Sequence, residues 1–307
     1  MLWMWLACSG GEPEPSVDAV QETGPIEVRL ALNWFPEPEF GGFYEGVLGG
    51  HYEEAGFAVE IIPGGPGAPT LEQLSTGKVE AALTAADDLL LKRSRGLNVV
   101  GVWPAFQLAP NGLMAHGAGA GSFEEISGGN IAIELGSPLQ TFLWSKYGWE
   151  GKVAAVPYSG AIGPFIADQA FIQQAYITSE PCLAEAQGAE VNFLRAADAG
   201  WNPYGSLVAL SDPPPPWADD FIAATHKAWE VYLDAPERGN AEISTLNDQM
   251  KPELMGCITE KQKPFVYGSD GLGAMSKKRW DTMNAQLIEL GLLPEGSVAD
   301  GAWVPRD

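Results

Sequence analysis

From Ile26 onward the chain alternates short β-type runs with helical segments, and that alternation constrains its fold more than any other feature. Ile26 to Leu32 sets Ile26, Val28 and Leu30 against Glu27 and Arg29, the two-residue period of a strand, and stops at Asn33-Trp34-Phe35-Pro36. Phe43 to Ala55 has helical composition and ends at Gly56. Phe57 to Ile62 reads as a second strand, closed by Pro63-Gly64-Gly65-Pro66-Gly67. Thr70 opens a helix through Leu71 and Leu74 that Gly77 closes, ahead of the apolar run Ala81 to Thr84. This order predicts a mostly parallel sheet with helices on both faces, in which ligands bind beyond the carboxyl ends of the strands. Asn33 to Phe40 and Thr84 to Asp88 lie at two such ends.

A second unit begins at Ser122-Phe123-Glu124-Glu125, which has the form of a capping box opening a short helix. Asn130 to Glu134 reads as a strand stopped by Gly136-Ser137-Pro138, with a helix from Leu139 to Tyr147. Gln174 to Ile177 is another strand, ending at Thr178-Ser179-Glu180-Pro181, where proline suits the start of a helix. Val191 to Leu194 and Ser206 to Leu210 follow. The prolines of Asp212 to Trp217 make a stiff break before helical stretches at Phe221 to Leu233 and Arg279 to Leu290. The expected architecture is α/β with two lobes, residues 26–113 plus 209–307 forming the first and 114–208 the second. Crossings are expected near Leu113 to His116 and Ser206 to Leu210, with a ligand cleft between the lobes.

With 40 acidic residues against 17 basic ones and a net charge of -23, nucleic acid and anionic membrane surfaces are disfavoured partners. The length of 307 residues exceeds one ordinary core. No later stretch reaches the about 18–20 consecutive apolar residues of a spanning helix. The run Met1 to Ala7 stops at Cys8-Ser9-Gly10-Gly11 and resembles the tail of a bacterial lipoprotein signal peptide, with a Gly/Glu/Pro-rich tether up to Pro25. Cys8 is then the lipidated anchor of a periplasmic or otherwise extracytoplasmic protein; a frayed apolar N-terminus with an incidental cysteine is the competing reading. Cys182 and Cys257 make neither a metal-ligand spacing nor a disulfide framework. Two unpaired, mostly buried thiols are expected, with a single bridge as the alternative in an oxidising compartment. His51, His116 and His226 are scattered, and neither a metal site nor a cofactor is expected.

Four motifs occur in order: Leu32-Asn33-Trp34-Phe35-Pro36-Glu37-Pro38-Glu39-Phe40-Gly41-Gly42-Phe43-Tyr44, then Gly56-Phe57-Ala58-Val59-Glu60, Leu74-Ser75-Thr76-Gly77-Lys78-Val79-Glu80 and Ala86-Asp87-Asp88. Together they resemble the periplasmic substrate-binding proteins of ABC transporters, specifically the NMT1/THI5-like group of thiamine-precursor and sulfonate binders, from about Ile26 to Asn284. The resemblance implies the two-lobed type II periplasmic-binding-protein fold. It further implies a monomer that closes by hinge motion on a small molecule and presents it to a permease in the inner membrane. One branch of the family is an enzyme, the fungal pyrimidine synthase, which consumes its own active-site histidine and carries a cysteine-rich signature. Asn33 to Tyr44 contains no histidine and the cysteine cluster is missing, so an enzyme is not expected. A ligand-sensing module without transport has the same sequence physics and stays open.

Candidate contacts lie at the strand ends and crossings. A ring held between Trp34 or Phe35 on one side and Phe40, Tyr44, Tyr158 or Tyr204 on the other gains ~0.5–1.5 kcal/mol per aromatic pair beyond area burial, the alternative for each aromatic being core packing. Asn33 belongs to the same turn. Helix starts after Gly136-Ser137 and Thr178-Ser179 offer backbone N–H groups. Glu37, Glu39, Asp87 and Glu180 accept from ring amino groups or balance a cation, Asp87 alternatively capping a helix. Gln107 and Asn202-Pro203-Tyr204 sit just before the crossings. These candidates include acids and aromatics but no Lys or Arg, which disfavours sulfonates and favours a neutral or cationic heterocycle, such as a thiamine-precursor pyrimidine or riboflavin. The chain departs from the pyrimidine binders at Glu37-Pro38-Glu39-Phe40, where they carry Asn, Thr and His.

Overall fold

A computed structural model describes residues 24–305, so the expected anchor Cys8 lies outside the described residues. In chain order, β1 (Ile26–Ala31), a 3-10 turn (Pro38–Phe40), α1 (Gly41–Leu48), α2 (His51–Glu54), β2 (Phe57–Ile62), α3 (Thr70–Ser75), β3 (Ala81–Thr84), α4 (Ala86–Ser94) and β4 (Val99–Phe106) come first. Next are β5 (Asn111–His116), β6 (Gly129–Ile133), α5 (Pro138–Tyr147), β7 (Val153–Pro157), α6 (Gly163–Ala167), β8 (Ile172–Tyr176), α7 (Glu180–Ala186) and β9 (Val191–Arg195). The chain ends with β10 (Gly205–Ser211), α8 (Ala218–Asp234), α9 (Glu237–Leu246), α10 (Pro252–Tyr267) and α11 (Lys277–Glu289).

Two five-stranded sheets result, ordered β2-β1-β3-β10-β4 and β7-β6-β8-β5-β9. In each, four strands run one way and one is antiparallel to both neighbours: β10 in the first sheet, β5 in the second. Each antiparallel strand is the one the chain forms immediately after leaving the other sheet. The crossings are therefore residues 107–110 and 196–204, ahead of both expected places. Leu113 to His116 and Ser206 to Leu210 are instead internal strands, because a short apolar run does not by itself tell a buried strand from a connector.

One residue of α11 joins the two crossings. Arg279 donates to the backbone carbonyls of Gln107, Asn202 and Pro203, and its guanidinium lies 3.8 Å from the centre of the Tyr204 ring. Asn202 Oδ1 accepts from Arg279 at 3.1 Å and from the Ala109 N–H at 2.8 Å.

The seat of the first binding turn comes from α1 lying against α8. A Cβ at Gly41 would stand 2.0 Å from the Tyr232 ring, and one at Gly42 would stand 2.3 Å from Trp229, so only glycine permits this approach. At the expected capping box, Ser122 makes no cap bond, and Glu125 accepts from the Gly121 N–H at 2.8 Å.

The expectation of free thiols is corrected: Cys182 on α7 and Cys257 on α10 form a disulfide. Helix α7 packs on β8 and β9 of the second sheet, whereas α10 packs on β4 and the 38–40 turn, so the bridge ties one lobe to the other. Lys261 and Glu185 add an ion pair at 2.8 Å between the same two helices. A separation of 75 residues in sequence carries no sign that these helix faces meet.

Candidate ligand-binding cleft

The carboxyl ends of β1 and β3 in one lobe face those of β6, β7 and β8 in the other across a cavity of about 550 Å³. Of the expected residues, Asn33, Trp34, Glu37, Glu39, Asp87, Gly136, Ser137, Tyr158, Glu180 and Pro203 line it. Trp34 follows β1 and Tyr158 follows β7, so their rings come from opposite lobes; they lie nearly parallel, 9° apart, with centroids at 6.2 Å. Gly160 closes over the Trp34 edge, where a Cβ would come to 3.1 Å, and its φ of +76° adds a second reason for glycine.

Carboxylates hold both rings. Trp34 Nε1 donates to Glu37 Oε1 at 3.2 Å, and the Tyr158 hydroxyl donates to Glu180 Oε1. Glu180 Oε2 accepts the Tyr176 N–H at 2.8 Å. Glu39 stands beside Glu37 and Glu180, is 4% exposed, and accepts no hydrogen bond among the described residues. Burial, reinforced by Glu180, pushes Glu37 up to about 8, and burial, reinforced by Glu37 and Glu180, holds Glu39 well above the usual carboxylate range. Burial raises Glu180 as well, against the hydrogen bonds it receives. Asp87 on α4 is pushed up to about 7 by burial and then by Asp88, and its Oδ1 is buried without a partner. The Ncap of α4 is Ala85, so Asp87 is not the cap; it sits in the first turn. Tyr158 and Tyr176 remain protonated hydroxyls, raised by burial and by the surrounding carboxylates.

Other expected contacts lie elsewhere. Phe40 and Tyr44 face the core, because the 38–40 turn presents Glu39 to the cavity and directs Phe40 inward. Tyr204 is buried beneath Arg279, and Gln107 donates from Nε2 to the Ala274 carbonyl at 2.9 Å. Asn202 is occupied in joining the crossings. Thr178 and Ser179 are buried behind Glu180, where Ser179 helps to lower the Glu37 carboxyl against the effect of burial. The helix start at Gly136-Ser137 is capped from within: Gly136 N–H donates to Gln140 Oε1 at 2.6 Å, and Gln140 N–H donates to Ser137 Oγ at 3.2 Å. At α7, the carboxylate of Glu180 bonds its own backbone N–H.

Sequence reasoning missed Asp88, Lys92, Arg95, Asn111, Glu134, Gln174 and Tyr176, all of which line the cavity. Tyr176 was the most findable, as the residue on which β8 ends two positions before Thr178. The lining thus does include cations, contrary to expectation. Both come from the end of α4, one turn or more beyond Asp87, and Lys92 is held by Glu72.

Two opposed α/β lobes with a polar, ring-walled cavity between their strand ends define the periplasmic-binding-protein architecture. The chain belongs to the NMT1/THI5-like family, whose model matches residues 37–239. It is 23% identical over 298 residues to the formylaminopyrimidine-binding protein of Halalkalibacterium halodurans, covering 90% of this chain and 89% of that one. It is 26% identical over 322 residues to the riboflavin-binding protein RibY of Chloroflexus aurantiacus, covering 94% and 89%. Among solved structures, the periplasmic aliphatic sulphonate binding protein SsuA of Escherichia coli superposes with a TM-score of 0.68 at 15% identity, covering 92% of this chain and 94% of that one.

Proposed function

We propose that the protein is the extracytoplasmic solute-binding component of an ABC importer, anchored through Cys8, which closes on a small aromatic heterocycle and delivers it to a permease. The observation that carries this reading is the Trp34–Tyr158 pair, two parallel rings contributed by opposite lobes above buried carboxylates. A planar ring slipped between two others needs a gap of about 7 Å, two contacts of about 3.5 Å each, which is within about 1 Å of the present 6.2 Å. Closure on such a ring is then both the binding event and the signal a permease reads. The names of the pyrimidine-binding and riboflavin-binding relatives support a heterocycle over a sulfonate, as does the carboxylate lining. Binding without chemistry is favoured because, among the described residues, no histidine or cysteine lines the cavity.

A thermal-shift screen of residues 24–307 against pyrimidines, thiamine, riboflavin, sulfonates and amino acids tests the reading. A heterocycle at 100 times its dissociation constant stabilises the protein by roughly 2.7 kcal/mol, a shift of a few degrees. A shift with sulfonates alone, or with amino acids alone, would reject it.

A further inference from the structure

We infer that the inner end of the cavity takes a positively charged nitrogen, so that the ligand binds as an organic cation with its N–H groups on Glu39 and its ring between Trp34 and Tyr158. This deepens the proposed reading of the same cavity and rests on it. Glu37 and Glu180 have spent hydrogen-bonding capacity on the ring walls, through Trp34 Nε1 and the Tyr158 hydroxyl. Glu39 has not: it is nine-tenths buried, lines the cavity and has no donor. Asp87, further along the cavity, keeps one oxygen, Oδ1, without a partner, while its carboxylate is bonded by backbone N–H groups. Buried polar groups are ordinarily hydrogen-bonded and buried charges paired, so an open carboxylate facing the cavity marks what is missing from it.

The missing partner is a charge as well as a donor. Facing the inner cavity are Glu37 and Glu39 from the turn after β1, Glu180 from α7, Tyr158 after β7 and Tyr176 at the end of β8. Further out are Asp87 and Asp88 on α4 and Glu134 after β6. None of these is cationic. Lys92 and Arg95 stand at the outer end of α4, where Lys92 already pairs with Glu72. A neutral amino group supplies Glu39 with a hydrogen bond and leaves Glu37 and Glu39 held protonated by burial and by their acidic neighbours. An ammonium or protonated ring nitrogen supplies the hydrogen bond and also stabilises the ionised carboxylate, and the faces of Trp34 and Tyr158 add a cation–π attraction that a neutral ring lacks.

Isothermal titration with matched pairs separates these cases. One pair is an aminopyrimidine bearing an aminomethyl group, cationic at neutral pH, against the same ring bearing a hydroxymethyl group. The other is the N-methylated nicotinamide cation against nicotinamide. The inference expects the cation to bind at least about tenfold tighter in one pair or both, and expects Glu39→Gln to abolish that preference by weakening the cation more than the neutral member. Glu180→Gln, which keeps the side chain's shape, serves as the second variant and should reduce the preference. Equal binding within every pair that binds overturns the inference and leaves the heterocycle reading standing. Preference within the pyridinium pair with no pyrimidine bound supports the inference and removes pyrimidines as the cargo. A preference that survives Glu39→Gln, or the failure of every cation to bind in the millimolar range, overturns the inference.

Discussion

Two neighbouring aromatics show how little distance separates a contact residue from a core residue. Trp34 and Phe40 sit six positions apart on one turn, yet Trp34 is half-buried at the cavity wall and Phe40 is fully buried in the core. Their alanine variants should part accordingly. Trp34→Ala removes a stacking face and the donor that orients Glu37, so ligand affinity should fall by more than ~1 kcal/mol in isothermal titration, with the thermal midpoint of the empty protein nearly unchanged. Phe40→Ala should do the reverse, lowering unfolding free energy by about 3–5 kcal/mol in urea denaturation through lost burial and the cavity left behind. A loss of stability in the first variant as large as in the second would assign Trp34 to the core.

At the scale of elements, legibility followed locality. Strands β1, β2 and β3 were readable because alternation and Gly/Pro stops are written within a few residues. Strand β4, buried at every position, has no alternation to read, and β5 and β10 passed for crossings because their pairing partners lie far away in sequence. The cavity divides the same way: Glu37, Asp87 and Glu180 stand at strand ends or helix starts the sequence marks, whereas the facing of Tyr176 and Glu134 onto them depends on how the two sheets are opposed. The α7–α10 disulfide is the extreme case, a long-range contact between two helix faces. Joining positions 75 residues apart, it should contribute up to about 4 kcal/mol by restricting the unfolded chain. Cys257 lies eight residues before Phe265, whose carbonyl accepts from the N–H groups of Gln107 and Leu108 in the first crossing. The bridge thus stands about 12 Å along α10 from that crossing. The variant with both cysteines changed to alanine should unfold at lower urea and, in small-angle scattering without ligand, show a larger radius of gyration as the lobes open more widely. An unchanged radius would mean that the crossings and the Lys261–Glu185 pair set the lobe separation without the bridge.

For the molecule as a whole, the inner carboxylates make stability a question of charge, and pH is the direct probe. Glu37 near 8 and Asp87 near 7 bind protons more tightly in the folded protein than in the unfolded chain, where carboxyls titrate near about 4. The stability they contribute is present in full below about 4 and is lost as pH rises through about 7 and about 8. Glu72 and Glu80, lowered by Lys92 and Arg29, act oppositely, their contribution being lost as pH falls through the acid range. Stability of the empty protein should therefore peak in mildly acid solution and decline toward about pH 8. The net charge of -23 also favours acid, through repulsion spread over the whole surface. Salt distinguishes the two sources: surface repulsion is screened over about 8 Å at physiological ionic strength, while buried groups are screened much less. The decline in urea midpoint from about pH 5 to about pH 8 should persist in high salt, flatten in Glu37→Gln and Glu39→Gln, and be reversed in the native chain by a bound organic cation. A decline that salt removes and the two variants leave intact would place its origin on the surface and not in the acidic cavity.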